Sequence, residues 1–132
     1  MVLVDTSVWI DYLRGSRTSG VRKLDELLEQ KGAFGITSLI YQEVLQGADS
    51  EASLARLDAY LGTQRFFHPL DPVISHAEAA RLYARCRRAG VTIRSTIDCL
   101  IAQIAIEHKL ELLHSDRDFD RLARAVPELL LY

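Results

Sequence analysis

The alternation of short apolar segments with helical segments is the feature that most constrains the fold of this chain. Residues 2–4 and 110–113 read as brief buried strands, and residues that favour a helix start follow each of them. Further short strands are predicted at residues 33–36, 65–68 and 129–132. Strands that alternate with helices in this way indicate an α/β domain with a parallel sheet.

Capping residues mark where the predicted helices begin and end. Asp71-Pro72 predicts the start of a long helix that ends near Gly90, because proline is favoured in a first turn. Lys31-Gly32 predicts the stop of a helix over residues 21–30. The remaining helices are predicted to end near residues 13, 46, 61, 109 and 125, each after a serine, threonine or aspartate that can cap its start.

Length, charge and cysteine content narrow the class of protein. The chain has 132 residues, which we interpret as a single domain over 1–132 that is long enough to bury a core. Its formal net charge is −2, so a nucleic-acid partner would require a local basic patch or bridging metal ions. Two cysteines without CxxC spacing, and an apolar strand where a signal peptide would stand, predict a reducing cytoplasm. No stretch reaches the roughly 18 apolar residues of a membrane span, so no membrane association is expected.

Two aspartates follow the carboxyl ends of predicted strands. Asp5 comes directly after the strand at 2–4, and Asp116 comes just past the strand at 110–113. In open parallel sheets, ligands bind beyond the carboxyl ends of the strands. Both aspartates therefore lie where an active site is expected.

Glu43 interrupts the apolar stripe of its helix. Leu39, Ile40, Val44 and Gly47 share a helical face with Glu43, where an apolar residue is expected. An ionised carboxylate on a buried face is unfavourable unless it is paired or bound to a metal. The alternative interpretation is a buried salt bridge to an arginine.

Asp98 and Asp118 are the remaining candidate acids. Asp98 lies at the rim of an apolar stripe in the first turn of its helix, where it is also at capping-box distance from Ser95. Asp118 is a second ligand candidate beside Asp116, and its alternative role is to cap the last helix.

Asp5, Glu43, Asp98 and Asp116 can converge if the sheet is parallel. Clustered carboxylates repel one another and raise each other's pKa values, and a divalent cation relieves that repulsion. Oxygen ligands without cysteine or histidine select Mg²⁺ or Mn²⁺ over zinc. Sites of this kind serve mainly phosphate chemistry, which predicts phosphodiester hydrolysis.

With these motifs in place, the chain resembles the PIN-domain ribonucleases of the VapC toxin family over essentially its whole length. The matching stretches are VLVDTSVWIDYL, TSLIYQEVLQG, RSTIDCLIAQIA and LLHSDRDF. The resemblance implies a three-layer α/β/α PIN-like fold around a central parallel sheet. It also implies an endoribonuclease that depends on Mg²⁺ or Mn²⁺ and is the toxin of a type II toxin–antitoxin system.

The resemblance also implies roles for individual residues and partners. The implied set comprises the metal-site acids Asp5, Glu43, Asp98 and Asp116, the accessory ligand or water-positioning residue Asp118, and the hydrogen-bonding supports Thr6 and Ser115. The implied partners are an RNA substrate, a small antitoxin that inserts a basic residue into the acidic site, and a second copy in a homodimer. The expected products of water attack on the phosphorus are 5′-phosphate and 3′-hydroxyl ends.

Arginines near the Asp98 helix are the candidates for RNA contact. Arg94 is closest in sequence to that helix, and Arg87 and Arg88 precede it. A phosphate contact is the functional interpretation, and a solvated helix face is the alternative.

Two other functions fit parts of the pattern. Asp5-Thr6 after a strand is also typical of domains that form an aspartyl phosphate, but these add a lysine from a later strand end, and Lys109 precedes its strand. The acids of a non-catalytic module would hold only a structural ion or an antitoxin arginine.

Overall fold

The central feature of the fold is a four-stranded sheet in which every pair of neighbouring strands is parallel. This is a computed structural model, and it describes residues 1–31 and 33–132. The strands are β1 (Val2–Val4), β2 (Phe34–Gly35), β3 (Glu111–Leu113) and β4 (Leu130–Leu131). Their order across the sheet is β2-β1-β3-β4, so the first strand of the chain lies in the interior of the sheet. All three residues of β1 are buried, as the uninterrupted apolar run predicts.

Seven helices flank the sheet in the part of the chain that the structure describes. They are α1 (Thr6–Leu13), α2 (Ser19–Glu29), α3 (Ser38–Gln46), α4 (Glu51–Leu61), α5 (Pro72–Arg88), α6 (Thr96–Glu107) and α7 (Arg117–Ala125). Their mutual contacts form two groups: α1 contacts α2 and α3, and α3 contacts α4, whereas α5, α6 and α7 contact one another. The expected α/β/α architecture with a central parallel sheet is confirmed.

Three of the predicted helix starts are confirmed by side-chain caps. The hydroxyl of Thr37 accepts a hydrogen bond from the backbone at the start of α3, and Ser50 does the same for α4. Asp71 accepts two backbone hydrogen bonds at the start of α5, where Pro72 occupies the first turn. These helices begin where they do because each cap satisfies N–H groups that have no partner within the helix.

Some predicted boundaries are wrong. Residues 65–68 do not form a strand, because only Phe66 bridges to Ile36 before the chain turns away. The helix predicted to reach residue 109 ends at Glu107, and Lys109 has a positive φ of 54°. The helix predicted over 21–30 ends at Glu29, and the Gly32 part of its predicted stop lies outside the described residues.

The core lies between the sheet and the two helix groups. Trp9 is fully buried and packs against Tyr12, Phe34 and Tyr60. Both cysteines are buried free thiols. Within residues 1–31 and 33–132, no helix has both the length and the apolar character required to cross a membrane.

Candidate metal centre

The parallel pairing of β1 with β3 places the residues that follow these two strands side by side, at the edge of the sheet formed by the carboxyl ends of its strands. Val4 is in register with Leu113, and the backbone N–H of Asp5 donates to the carbonyl of Leu113 at 2.9 Å. Asp5 and the residues that follow β3 therefore leave the sheet side by side. Asp116, three residues past β3, is the N-cap of α7. The sequence prediction that these aspartates share one edge of the sheet is consistent with this register.

Three carboxylates lie close enough together to bind one cation. One oxygen from each of Asp98, Asp116 and Asp118 lies within 4.8 Å of the other two. Asp116 and Asp118 are fixed by the start of α7, since Oδ1 of Asp116 accepts a hydrogen bond from the N–H of Asp118 at 2.9 Å. Asp98 enters from the first turn of α6. The cluster thus joins two helix N-termini that are far apart in the sequence.

The pKa of Asp98 is raised well above its usual range. Burial is the largest cause, and the negative charges of Asp5, Asp116, Asp118 and Glu43 add to it, which together bring the pKa to about 7. The capping-box alternative is not realised, because Ser95 makes no side-chain capping hydrogen bond to α6. Asp98 is therefore held among like charges without a local structural partner.

Asp5 is buried, with 5% of its surface exposed, and hydroxyl and backbone groups support its charge. Its Oδ2 accepts hydrogen bonds from the backbone N–H of Ser7 at 3.0 Å and from the Ser7 hydroxyl at 2.6 Å. Burial raises the pKa of Asp5, and the hydrogen bonds from Ser7 oppose that rise. Ser7 in turn accepts a hydrogen bond from the backbone N–H of Ser115 at 3.0 Å.

Ser7 is the functional residue that sequence reasoning missed. The sequence alone assigns it no role, although its position two residues after the N-cap residue Asp5 is typical of a hydroxyl that turns back to the cap. Ser115 supports the site through its backbone N–H. Its hydroxyl lies against α2, where a Cβ on Gly20 would be 2.7 Å from Ser115 Oγ. That close approach requires glycine at position 20.

Glu43 is half-buried beside Ile40 and Val44, the buried residues of its helical stripe. The hydroxyl of Thr6 donates to Oε2 of Glu43 at 2.5 Å, as expected for a supporting residue. No arginine pairs with Glu43 among the described residues, so the salt-bridge alternative is wrong there. The charge of Glu43 raises the pKa of both Asp5 and Asp98, which places it in the same electrostatic field.

Asp118 has partners that the sequence did not reveal. Its side chain is only 2% exposed, and it pairs with Arg94 Nε at 3.0 Å and with Arg121 Nη1 at 3.4 Å. Arg94 also lies 3.7 Å from Asp116, while its own side chain is 73% exposed. Asp118 does not cap α7, because Asp116 occupies that position. Arg94 therefore lies at the acids themselves, where it faces both Asp116 and solvent.

The other two predicted RNA contacts lie elsewhere on the surface. Arg87 and Arg88 are exposed in the last turn of α5, and neither forms an ion pair in the described part of the chain. Their role in RNA contact stays a prediction.

The donor set fits a hard divalent cation. All clustered ligand atoms are carboxylate oxygens, which Mg²⁺ and Mn²⁺ prefer, and the like charges around Asp98 contribute to its raised pKa. His114 is the nearest histidine in sequence, but its Nε2 faces Asp120 at 3.6 Å. The fold and this cluster together define an α/β domain with a cation-binding acidic edge.

Comparisons with known proteins agree with this class. The PIN domain family profile matches residues 2–125. The chain is 35% identical over 125 residues to ribonuclease VapC11 of Mycobacterium tuberculosis and to VapC ribonuclease Mb1587 of Mycobacterium bovis, matches that cover 94% of this chain and 92% of each relative. It is also 32% identical to ribonuclease VapC32 of Mycobacterium tuberculosis, in a match that covers 80% of this chain and 77% of that protein. The chain therefore belongs to the PIN domain family, among its VapC members.

Solved structures show the same fold. The VapBC2 complex of Rickettsia felis, bound to a promoter DNA fragment, contains a chain that superposes with a TM-score of 0.73 at 21% identity, covering 100% of this chain and 98% of that one. FitAcB from Neisseria gonorrhoeae gives a TM-score of 0.70 at 21% identity, with 100% and 96% coverage.

Proposed function

We propose that this protein is a metal-dependent endoribonuclease that hydrolyses RNA phosphodiester bonds as the toxin of a type II toxin–antitoxin pair. The observation that carries the proposal is the convergence of Asp98, Asp116 and Asp118 within 4.8 Å at the carboxyl edge of a parallel sheet. Membership of the PIN domain family and 35% identity to VapC ribonucleases support the same reaction class. Residues 1–132 act as a single domain in this proposal.

Asp98 and Asp116 would hold the ion. Asp5 and Glu43 would add negative charge around it, and Asp118 would be an accessory ligand. A bound Mg²⁺ or Mn²⁺ supplies activation of a water and stabilisation of negative charge on the phosphate. Ser7 keeps the Asp5 carboxylate in one orientation, and Thr6 does the same for Glu43. Ser115 fixes Ser7 through its backbone N–H, so the loop after β3 also positions the first strand's acid.

Water is the nucleophile in this proposal. The only hydroxyl that directly contacts Asp5 is that of Ser7 among the described residues, and it is already donating to the carboxylate and accepting from Ser115. These two hydrogen bonds give Ser7 the role of orienting the Asp5 carboxylate, and a bound metal would supply an activated water as the nucleophile. Attack by water predicts 5′-phosphate and 3′-hydroxyl ends.

The acidic edge also suits a basic residue from an antitoxin. Asp116 and Asp118 already accept a guanidinium from Arg94, so the geometry for an arginine at these carboxylates is present in this chain. We propose a small antitoxin that supplies such a residue, a homodimer of the toxin and a cytoplasmic setting.

The aspartyl-phosphate alternative is less favoured by the geometry. Asp5 is 5% exposed, and its Oδ2 is engaged by Ser7, which leaves little access for a phosphoryl group. Lys109 lies before β3, whereas Asp5 lies after the parallel neighbour β1, so the two residues belong to opposite edges of the sheet.

The test is cleavage of a labelled RNA by the purified protein with Mg²⁺, with Mn²⁺ and with EDTA. We expect cleavage with either metal and none with EDTA, and we expect Asp98→Asn to lose more than about 100-fold in rate, since even residues that only support metal ligands cost 10–100-fold. Asp25→Asn, on the exposed face of α2, is the matched control and should retain the rate.

Each other outcome identifies a rival. Cleavage that persists in EDTA would eliminate the metal mechanism. Stable acyl phosphate that depends on Asp5 would support phosphotransfer. Metal binding without any RNA cleavage would indicate a non-catalytic module.

A further inference from the structure

Three arginines form one stripe along α7. Arg117, Arg121 and Arg124 are spaced i, i+4 and i+7, which places them on a single helical face. The opposite face of α7 is buried through Phe119 and Leu122, so the arginines point away from the core. All three are exposed.

The stripe lines a concavity of about 620 Å³ on the surface. The floor includes Leu131 of the edge strand β4, and the lining contains one acidic residue, Asp120. Asp120 faces the ring of His114, whereas Arg117 and Arg124 form no ion pair in residues 1–31 and 33–132. The concavity therefore carries an excess of positive charge on a chain whose formal net charge is −2.

The concavity and two of the clustered acids share the helix α7 and its N-cap. Asp116 caps the first turn of α7, and Arg121 reaches back to Asp118 at 3.4 Å. Positive charge thus begins at the carboxylate cluster and extends along the helix to its last turn. A chain with this net charge needs such a local patch to hold a polyanion.

The spacing suits the backbone of an extended nucleic-acid strand. Four residues of helix rise about 6 Å and three rise about 4.5 Å, so successive arginines are separated by distances comparable to those between consecutive phosphates. Guanidinium groups bind phosphate oxygens in a bidentate manner. A positively charged groove that follows the backbone is one of the features by which proteins bind single strands without sequence preference.

We propose that Arg117, Arg121 and Arg124 form a track that binds the phosphates of single-stranded RNA on one side of the cleaved bond. This inference rests on the proposed ribonuclease function. It assigns the basic patch to α7. The arginines that the sequence had suggested for RNA contact, Arg87, Arg88 and Arg94, lie outside that helix.

The experiment measures binding of a fluorescent 12-nucleotide oligouridine by anisotropy between 50 and 200 mM salt, with Asp98→Asn as a background that leaves the RNA intact. For a single strand, each lost phosphate contact makes the slope of the logarithm of the binding constant against the logarithm of the salt concentration less steep by about 0.7. The double variant Arg117→Gln/Arg124→Gln leaves the Arg121–Asp118 pair in place and should flatten the slope by about 1.4. It should also weaken binding at 50 mM salt.

The control is Arg56→Gln/Arg81→Gln, which removes two exposed arginines from α4 and α5, outside the concavity. It should retain the slope of the background protein. A double α7 variant whose slope equals that of this control would overturn the proposal. Unchanged RNA binding with lost binding of a polyglutamate peptide would overturn it too, and would assign the patch to an acidic protein.

A second measurement separates the track from the reaction. With Asp98 intact, Arg117→Gln/Arg124→Gln should raise KM for the 12-nucleotide RNA while leaving kcat within about twofold, because neither arginine forms an ion pair with the clustered acids among the described residues. If the protein binds RNA through the track but cleaves none, the proposed function fails and the track stands. If it cleaves RNA and the variant leaves KM unchanged, the track fails alone.

Discussion

The two halves of the acidic edge satisfy their charges in different ways. Asp5 and Glu43 accept hydrogen bonds from neutral hydroxyls, those of Ser7 and Thr6, which come from the first turn of α1. Asp116 and Asp118 instead face the guanidinium of Arg94. Hydroxyls orient a carboxylate and leave its charge in place, whereas an arginine neutralises it.

Asp98 is close enough to both halves to be affected by their charges, and among the described residues it has neither kind of partner. Its pKa is raised to about 7 by burial and then by the charges of both halves. The comparison therefore indicates that the half held by hydroxyls has no counter-ion of its own among the described residues. The half that faces Arg94 already has one, which a bound divalent cation would have to displace or share.

The largest effect should come from the hydroxyl-held half. Ser7→Ala removes the hydroxyl that fixes Asp5, and we expect cleavage to fall about 10–100-fold with a raised Mg²⁺ requirement, as for other residues that orient metal ligands. Ser7→Thr should restore most of the rate. Initial rates over a Mg²⁺ titration measure this.

Ser38→Ala removes another serine hydroxyl at a helix start, on α3, and serves as the control. Equal rates for Ser7→Ala and Ser38→Ala would mean that Asp5 needs no hydroxyl support.

A smaller effect is expected from the arginine-faced half. Arg94→Gln removes a competing cation from Asp116 and Asp118, so Mn²⁺ should bind about twofold to fivefold more tightly, the range for an exposed ion pair. Calorimetric titration of metal into the full chain measures the affinity, with Arg81→Gln as the control. Weaker binding in Arg94→Gln would show that Arg94 holds the acids in place.

The smallest effect concerns stability and pH. The folded state binds the Asp98 proton more tightly than the unfolded state, because its pKa rises from 3.8 to about 7. This stabilisation is complete below pH 3.8 and is lost as the pH rises through about 7. The metal-free protein should therefore melt a few degrees lower at pH 8 than at pH 5.5, and Mg²⁺ should reverse the difference.

Asp98→Asn is the control for this pH dependence, because it removes the titrating group and should flatten the change in Tm. Identical pH profiles for the variant and the unsubstituted protein would assign the effect to other groups.

The sequence predicted the fold through local signals that tertiary contacts did not override. The apolar run of β1 and the cap at Asp71 depend on neighbouring residues only, and both are confirmed. The strand expected at 65–68 failed because pairing depends on a distant partner, and only Phe66 reaches one.

The candidate site was predictable to the extent that topology dictates it. A parallel sheet requires Asp5 and Asp116 to share an edge, whatever the helices do. The pairing of Arg94 and Arg121 with Asp118 depends on how α6 and α7 pack, which no local pattern reports. The arginines of α7 were visible at helical spacing, but that spacing is the same on any solvated helix face.

The strand order has a consequence for synthesis of the chain. β1 is made first, yet one of its two neighbours in the sheet, β3, is made among the last residues, and α7 follows it. A nascent chain that has not yet released β3 and α7 from the ribosome lacks Asp116 and Asp118. The acidic cluster therefore cannot form until α7 has been made, after every other element that contributes an acid to it.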